Sequence, residues 1–302
     1  MEFLIGGLAA TSACIFTHPL EVLKIRLQLQ GELKSKGKHP IVYKNSLHAA
    51  YLIAKHEGMF ALQKGLVTGL WVQLIMNGSR LGCFYDFWSS RGYDTNKKTG
   101  EKMIYRSVFI AGTGGVIGHY LSNPFYLIKT HLQSESAKAI AVGYQHHYKG
   151  TWNALKDTFR KHGLNGLFRG GVAVVPRAFV ASSSQLVSFL YVKDWLNKTK
   201  YFSKKPVLTV FLGSMIGGIS ISVMTAPFDL ILIRLYNQGV DKSGKGTLYS
   251  GYFDCIKKIY TTEGFSAFYK GVGPMYFRLG PHTVLCLMFW EVYKKIYHKY
   301  CD

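Results

Sequence analysis

The stretch PLEVLKIRLQ, residues 19–28, decides how this chain folds, because two variants of it follow at regular spacing. The second is PFYLIKTHLQ at residues 124–133, and the third is PFDLILIRLY at residues 227–236. Their prolines are 105 and 103 residues apart. Self-similarity at a fixed period is the signature of a repeat architecture, so the sequence predicts three tandem repeats of about 100 residues.

The composition favours a membrane protein. Of the 302 residues 48% are hydrophobic and 15% are aromatic, and the mean hydropathy is positive. The net charge of +21 suits nucleic acid, an anionic membrane surface or an anionic solute as partner. Because the basic residues flank or interrupt apolar runs instead of covering a soluble face, we expect no nucleic acid. The five cysteines form no CxxC pair, so we expect no disulfide framework and no metal site.

Each repeat contains two apolar segments of roughly 25–30 residues, more than the ~20 that a helix needs to cross a bilayer. Prolines within these segments should kink the helices. Between the two segments lies a short amphipathic helix that should rest on the membrane surface, near residues 46–56, 151–162 and 250–262. An even number of spans gives every repeat the same orientation, which permits a pseudo-three-fold barrel. The predicted fold is thus an all-α membrane protein with six tilted, kinked transmembrane helices and three interfacial helices, in repeats covering 1–92, 101–199 and 204–299.

A second recurring motif points to a known family. Its copies are EGMFALQKG at residues 57–65, HGLNGLFRG at 162–170 and EGFSAFYKG at 263–271. Together with the proline motif, these copies make the whole chain resemble the mitochondrial carriers, solute carrier family 25. The departures from the family pattern are Gln63 in place of an aromatic residue and His162 in place of an acid.

The resemblance implies a monomeric, multi-pass transporter of the mitochondrial inner membrane that alternates between cytoplasm-open and matrix-open states. It implies no enzymatic activity and no cofactor, and the sequence contains no catalytic constellation. The basic-glycine turns open helices whose free amides attract phosphate. In the resembled family these turns hold cardiolipin, so the resemblance implies cardiolipin as the bound lipid. The residues concerned are Lys64, Gly65, Arg169, Gly170, Lys270 and Gly271.

In the resembled family, the acid of one proline motif pairs with the base of the next and closes the matrix side. Position by position, the resemblance implies that Glu21 pairs with Lys129. It implies equally that Asp229 pairs with Lys24.

The third pair would join Tyr126 to Leu232, which is a neutral contact. The family pattern has an acid and a base at these two positions, and this chain has neither. Replacing both is physically coherent, since replacing only one would leave an unpaired buried charge at a cost of ~3–5 kcal/mol. Gln28 and Gln133 occupy the positions where the family places a glutamine beneath the ion pairs, while Tyr236 replaces the third.

The cytoplasmic gate of such a carrier would lie near the ends of the even-numbered spans. Of the even-numbered spans only the sixth carries the aromatic-acid-x-x-base pattern, which includes Glu291 and Lys294. The implied pairs are Tyr85 with Lys193, Leu190 with Lys294 and Glu291 with Trp88. No pair is a complete ion pair, so we expect a weak cytoplasmic gate.

Three arginines inside apolar spans are the candidate solute contacts, since charged residues within membrane helices usually line a cavity. They are Arg80, Arg177 and Arg278. Convergent guanidinium groups favour a small dianion because each can bind two oxygens at once. Their neighbours offer little polarity for other solute groups; these are Met76, Ala178 and Leu279. His119 is a further candidate, for proton coupling or for a simple hydrogen bond.

Residues 129–133 and 234–238 resemble the oxaloacetate-type branch of the family, and residues 80–82 resemble the keto-acid and dicarboxylate carriers. Oxaloacetate, malonate, sulfate or a related dianion is therefore the expected solute. The alternatives are a proton or anion leak pathway, a carrier for another small organic anion, and a non-transporting membrane scaffold.

Overall fold

The computed structural model describes residues 2–34, 41–79, 93, 104–197, 206–241 and 244–301. Within these residues the regular structure is helical. The first repeat contains α1 (Glu2–Leu29), α2 (Ser46–Glu57) and α3 (Leu66–Asn77). The second contains α4 (Ile104–Leu121), α5 (Asn123–Ser134), α6 (Thr151–Leu167) and α7 (Gly171–Asn197). The third contains α8 (Pro206–Asn237), α9 (Tyr252–Glu263) and α10 (Val272–Cys301).

Motif prolines have different effects on their helices. Pro19 and Pro227 lie inside the continuous helices α1 and α8. In the second repeat the helix is interrupted at Ser122, and α5 begins with Pro124 in its first turn, where the missing N–H is harmless. The single helix expected over residues 104–133 is therefore two helices.

Two other boundaries differ from the sequence prediction. Helix α6 continues to Leu167 instead of ending near residue 162, because the chain bends at Gly163 (φ 61°) and resumes helical geometry. The second span was expected to reach residue 88, but α3 is described only to Asn77 and the remainder lies outside the described residues. By length and apolar composition alone, two described stretches are long enough to cross a membrane, Met59–Asn77 and Met215–Asn237.

The long helices form a closed ring. Going round it, α1 packs on α3, α3 on α4 and α5, α4 on α7, α7 on α8 and α8 on α10, which returns to α1. Large apolar side chains are exposed on these helices, as on a surface that faces lipid; examples are Phe16, Phe109, Val172 and Phe277. The all-α, three-repeat fold expected from the sequence is confirmed.

Glycine turns fix each repeat onto its neighbour. The three motif glycines before α3, α7 and α10 have φ of 76°, 75° and 82°, a conformation that glycine adopts without steric cost. A Cβ added to any of them would meet the residue nine positions after a motif proline. The pairs are Gly65 with Gln133 at 3.3 Å, Gly170 with the Tyr236 ring at 2.8 Å and Gly271 with Gln28 at 3.0 Å. The same contact recurs three times, which is the pseudo-three-fold symmetry seen at atomic detail.

Gly170→Ala should destabilise the protein, because a methyl group would clash with a buried ring and would also strain the backbone. We expect a loss of about 1–3 kcal/mol, measured as a lower thermal unfolding temperature in detergent. Gly150→Ala is the matched control, since Gly150 is extended (φ 164°) and a Cβ there would meet nothing within 4 Å. Equal unfolding temperatures for the two variants would contradict this packing.

Candidate functional site

Two buried ion pairs join α1 to α5 and to α8. Lys129 Nζ on α5 lies 2.6 Å from Glu21 Oε1 on α1. Lys24 Nζ, also on α1, lies 2.6 Å from Asp229 Oδ2 on α8. All four side chains are at most 3% exposed. The structure thus brings together both charged pairs that the resemblance implied.

The contact between α5 and α8 is formed by neutral groups, and it includes hydrogen bonds from Tyr236 to Asn123 and between His131 and the Tyr236 carbonyl oxygen. The Tyr126 ring lies 5.7 Å from the Tyr236 ring, and Leu232 belongs to the same buried cluster. Two cations face the Tyr126 ring, Lys129 Nζ at 4.9 Å and Arg177 Cζ at 5.4 Å. Such cation–π contacts stabilise charges that are removed from water.

Both motif glutamines are buried, but only one meets the ion pair assigned to it. Gln28 donates a hydrogen bond of 3.2 Å to Asp229. The Gln133 amide nitrogen instead lies 3.1 Å from His18 Nε2. The resemblance placed Gln133 beneath the Glu21–Lys129 pair, and in the structure its described hydrogen-bond partner is His18.

Two of the arginines expected to meet solute hold gate carboxylates in this structure. Arg177 Nε donates to Asp229 Oδ1 at 2.8 Å, and Arg278 Nη2 lies 3.3 Å from Glu21 Oε1. Their side chains are 9% and 14% exposed, more than the lysines beside them. Arg80 lies outside the described residues. We call the six charged side chains at this level the gate layer: Glu21, Lys24, Lys129, Arg177, Asp229 and Arg278.

The other expected solute contacts are two apolar side chains, one alanine and one histidine, all at least partly buried. Ala178 is fully buried, while Met76 and Leu279 are partly buried. His119 is buried on α4, and its Nδ1 lies 2.8 Å from the Gly115 carbonyl oxygen one turn earlier. A hydrogen bond within its own helix was one of the two roles considered for His119.

Sequence reasoning missed a polar cluster beside the gate layer. His18 Nε2 lies 2.9 Å from the Lys64 carbonyl oxygen. Close by, His282 lies 3.1 Å from the Thr17 hydroxyl and 3.3 Å from the Gln73 amide. Two features of the sequence could have predicted this cluster: His18 directly precedes the motif proline, and His282 follows Arg278 by one helical turn.

Below the gate layer, the acid-glycine motif closes a second set of ion pairs in the first repeat. Arg26 binds both oxygens of Glu57 at 2.6 and 3.0 Å, and Lys64 binds the same carboxylate at 2.6 Å. Burial alone would raise the pKa of Glu57, but the hydrogen bonds from Arg26 and Lys64 hold it below its ordinary value.

The third repeat has the same triad and the second repeat lacks it. Arg234 binds Glu263 at 2.5 and 2.9 Å, and Lys270 binds it at 2.6 Å. In the second repeat the corresponding acid is His162 and the corresponding arginine is His131, so the charges disappear as a pair.

The basic residues of the glycine turns are therefore engaged inside the protein. Arg169 donates to the backbone carbonyls of Tyr236 and Gln238 at 3.2 and 3.4 Å, and the two lysines hold the triad carboxylates. Cardiolipin binding at these turns stays a prediction, and it would rely on the backbone amides at the helix starts.

The cytoplasmic-gate residues are far less buried. Glu291 and Lys294 are both exposed on α10, and neither forms an ion pair with another described residue. The side chain of Lys193 lies outside the described part of the chain. The weak cytoplasmic gate stays a prediction.

A sequence model of the mitochondrial carrier protein family matches residues 1–90, 100–200 and 203–300, one match for each repeat. The chain belongs to the mitochondrial carrier family. A carrier of this family is a multi-pass transport protein of the mitochondrial inner membrane and not an enzyme.

Three curated carriers illustrate the similarity over essentially the full length. Solute carrier family 25 member 35 of Mus musculus is 45% identical over 301 residues, 99% of each chain. The mitochondrial oxaloacetate transport protein of Saccharomyces cerevisiae is 39% identical over 298 residues, 98% of this chain and 89% of its own. Mitochondrial citrate transporter E of Aspergillus niger is 35% identical over 300 residues, 99% of this chain and 94% of its own. These relatives place the chain in the oxaloacetate-type branch of the carriers.

One carboxylate just beyond the end of α1 should make the stability of this carrier depend on pH. Burial raises the pKa of Glu32 to about 7, although Tyr249 donates a 3.0 Å hydrogen bond to it. Because the folded state then holds this proton more tightly than the unfolded state, stability should fall as pH rises from about 4.5 to about 7.

Glu32→Gln should remove this pH dependence while leaving an oxygen for the Tyr249 hydroxyl. Near pH 8 the variant should be more stable than the wild type by on the order of 1 kcal/mol, and the difference should vanish below about pH 4.5. Thermal unfolding across this pH range measures the effect, with Asp157→Asn on α6 as control. Parallel curves for Glu32→Gln and the wild type would contradict the assignment.

Proposed function

We propose that this carrier moves small dianions across the inner membrane by alternating access, with oxaloacetate, malonate, sulfate or a related dicarboxylate as solute. The observation that carries the proposal is the charge of the gate layer. Two carboxylates face four cations there, a surplus of two positive charges in a buried site. A charge without a partner is expensive away from water, so a solute with two negative charges is the best complement.

The geometry of Arg177 supports a direct role in binding that solute. Its Nε is held by Asp229, while its buried Nη1 has no hydrogen-bond partner among the described residues. A guanidinium presents its donors in a planar fork that fits a carboxylate or sulfate oxygen pair. A dianion could therefore satisfy Nη1 first and then compete with Asp229 for Nε.

The same competition couples solute binding to the gate. Asp229 and Glu21 each hold a lysine of the gate and an arginine. When a dianion recruits Arg177 and Arg278, each carboxylate keeps a lysine as its remaining ionic partner. The ion pairs then lose part of their electrostatic support, which favours opening of the matrix side.

The names of the relatives agree with an anionic solute without fixing which one. The yeast relative is an oxaloacetate transport protein, and so is one from Schizosaccharomyces pombe at 35% identity. The Aspergillus niger relative is a citrate transporter. The surplus of two charges in the gate layer is the reason to favour dianions over more highly charged solutes here.

Counter-exchange in liposomes tests the proposal. Purified carrier should exchange external labelled malonate for internal malonate, sulfate or oxaloacetate, and it should exchange chloride or citrate much more slowly. A pH-sensitive dye inside the same liposomes monitors proton flux. Proton flux without dianion exchange would favour the leak pathway, and no flux of either kind would favour a scaffold; both results contradict the proposal.

A further inference from the structure

Two buried polar atoms in the gate region face each other without partners. His18 Nδ1 lies 3.8 Å from Glu21 Oε2, on the same face of α1. The residues are 0% and 1% exposed, and neither atom has a hydrogen-bond partner among the described residues. Buried polar atoms normally have a hydrogen-bond partner, so two unpartnered atoms that face each other call for an explanation.

The other ring nitrogen fixes the tautomer of His18. Its Nε2 lies 2.9 Å from the Lys64 carbonyl oxygen, which can only accept a hydrogen bond. The Gln133 amide also lies 3.1 Å from Nε2, and its otherwise unpartnered Oε1 accepts from the same N–H when the amide is turned over. With the hydrogen on Nε2, Nδ1 of the neutral ring presents a lone pair to a carboxylate oxygen. One proton added at Nδ1 would turn this repulsive contact into a charge-assisted hydrogen bond.

The positive charges around His18 oppose the addition of that proton. Lys129 approaches from α5 and Arg278 from α10, whereas Glu21 is the acidic group nearby on α1. The remaining neighbours are the Cys14 thiol on α1, the Lys64 carbonyl and the Gln133 amide. With a surplus of positive charge in the gate layer, His18 should stay neutral.

We propose that His18 is the proton-binding site of this carrier and that it takes up one proton when a dianion binds. The inference rests on the proposed function, because the dianion supplies the change in charge. The bound dianion neutralises the gate layer and draws Arg278 away from Glu21. A proton from water then adds to the Nδ1 lone pair, and the new N–H donates a hydrogen bond to Glu21 Oε2. When the dianion leaves, the proton returns from Nδ1 to water.

The proposal makes dianion affinity depend on pH through linkage, since a solute that promotes proton binding is itself bound more tightly where protons are abundant. Sulfate is the probe, because it stays dianionic across the neutral range. Its affinity for purified wild-type carrier should weaken by up to about tenfold for each unit of rising pH, and in His18→Gln the affinity should be independent of pH. Glutamine keeps an N–H for the Lys64 carbonyl and cannot take a proton.

Calorimetry in two buffers of different ionisation enthalpy counts the protons directly. Wild-type carrier should take up close to one proton for each sulfate bound, and His18→Gln should take up none. His56→Gln, an exposed histidine on α2, is the matched control and should behave like the wild type.

Three results would overturn the proposal. The first is binding of sulfate by the wild type without proton uptake, which can be read even if His18→Gln fails to fold. The second is an unchanged pH dependence in His18→Gln, and the third is a loss of pH dependence in His119→Gln with His18 intact. A wild-type carrier that neither binds nor exchanges any dianion would instead refute the proposed function.

Discussion

Asp229→Asn should be the most damaging single substitution in this carrier. Asp229 is fully buried and faces Lys24 Nζ at 2.6 Å and Arg177 Nε at 2.8 Å. Replacing the carboxylate by an amide leaves two buried cations without a counter-charge, at a cost of roughly 3–5 kcal/mol. We expect the unfolding temperature to fall by on the order of 10 °C and dianion exchange to be lost.

Two further variants separate this effect from a general loss of acidic charge. Asp254→Asn breaks a partly exposed ion pair of 2.8 Å with Lys258 on α9, and such pairs contribute little. Adding Lys24→Met to Asp229→Asn removes one of the stranded cations and should recover a substantial part of the stability. If the double variant unfolded at a lower temperature than Asp229→Asn alone, the two side chains would not be acting as a pair.

Arg177→Ala should abolish dianion exchange while leaving the protein folded. Two charge-assisted hydrogen bonds of about 1.5–3 kcal/mol each correspond to a loss of exchange rate of at least about a hundredfold. Asp229 keeps Lys24 as its partner in this variant, so the unfolding temperature should fall much less than in Asp229→Asn. Arg177→Lys keeps the charge but not the fork, and it should exchange at an intermediate rate.

The matched control for Arg177 is Arg160→Ala, which removes an exposed arginine from α6. Initial rates of labelled malonate uptake, measured over a range of malonate concentrations, separate weaker binding from slower turnover. Arg177→Ala with half the wild-type rate would show that the dianion does not contact this side chain.

The fold could be predicted from the sequence because its determinants are local and repeated. A proline motif in each repeat marks the odd-numbered spans, and a basic-glycine turn marks the start of each even-numbered span. Both gate ion pairs were implied by the resemblance to the carrier family, carried over position by position onto the proline motifs, and the structure places both pairs in contact.

Contacts that break the symmetry could not be predicted in this way. Arg177 and Asp229 are 52 residues apart in sequence, and Arg278 lies near the opposite end of the chain from Glu21. Which direction a mid-helix arginine faces depends on helix tilt and rotation, and these are set by packing between repeats. The same holds for His18, whose position beside the Lys64 carbonyl depends on how α3 begins.

The two ion pairs of the gate layer have one feature in common: each has one end on α1. Helices α5 and α8 are each joined to α1 by a carboxylate and a lysine. The two meet each other through neutral groups, which are the rings of Tyr126 and Tyr236 and two hydrogen bonds made by Tyr236. Parting α5 from α8 separates no opposite charges and needs no counter-ion, and its resistance does not fade as salt rises. Moving α1 away breaks both ionic contacts at once. The mechanical load at this level is therefore unevenly divided: the second and third repeats meet through neutral contacts and hydrogen bonds, while the first repeat holds both of them by ion pairs.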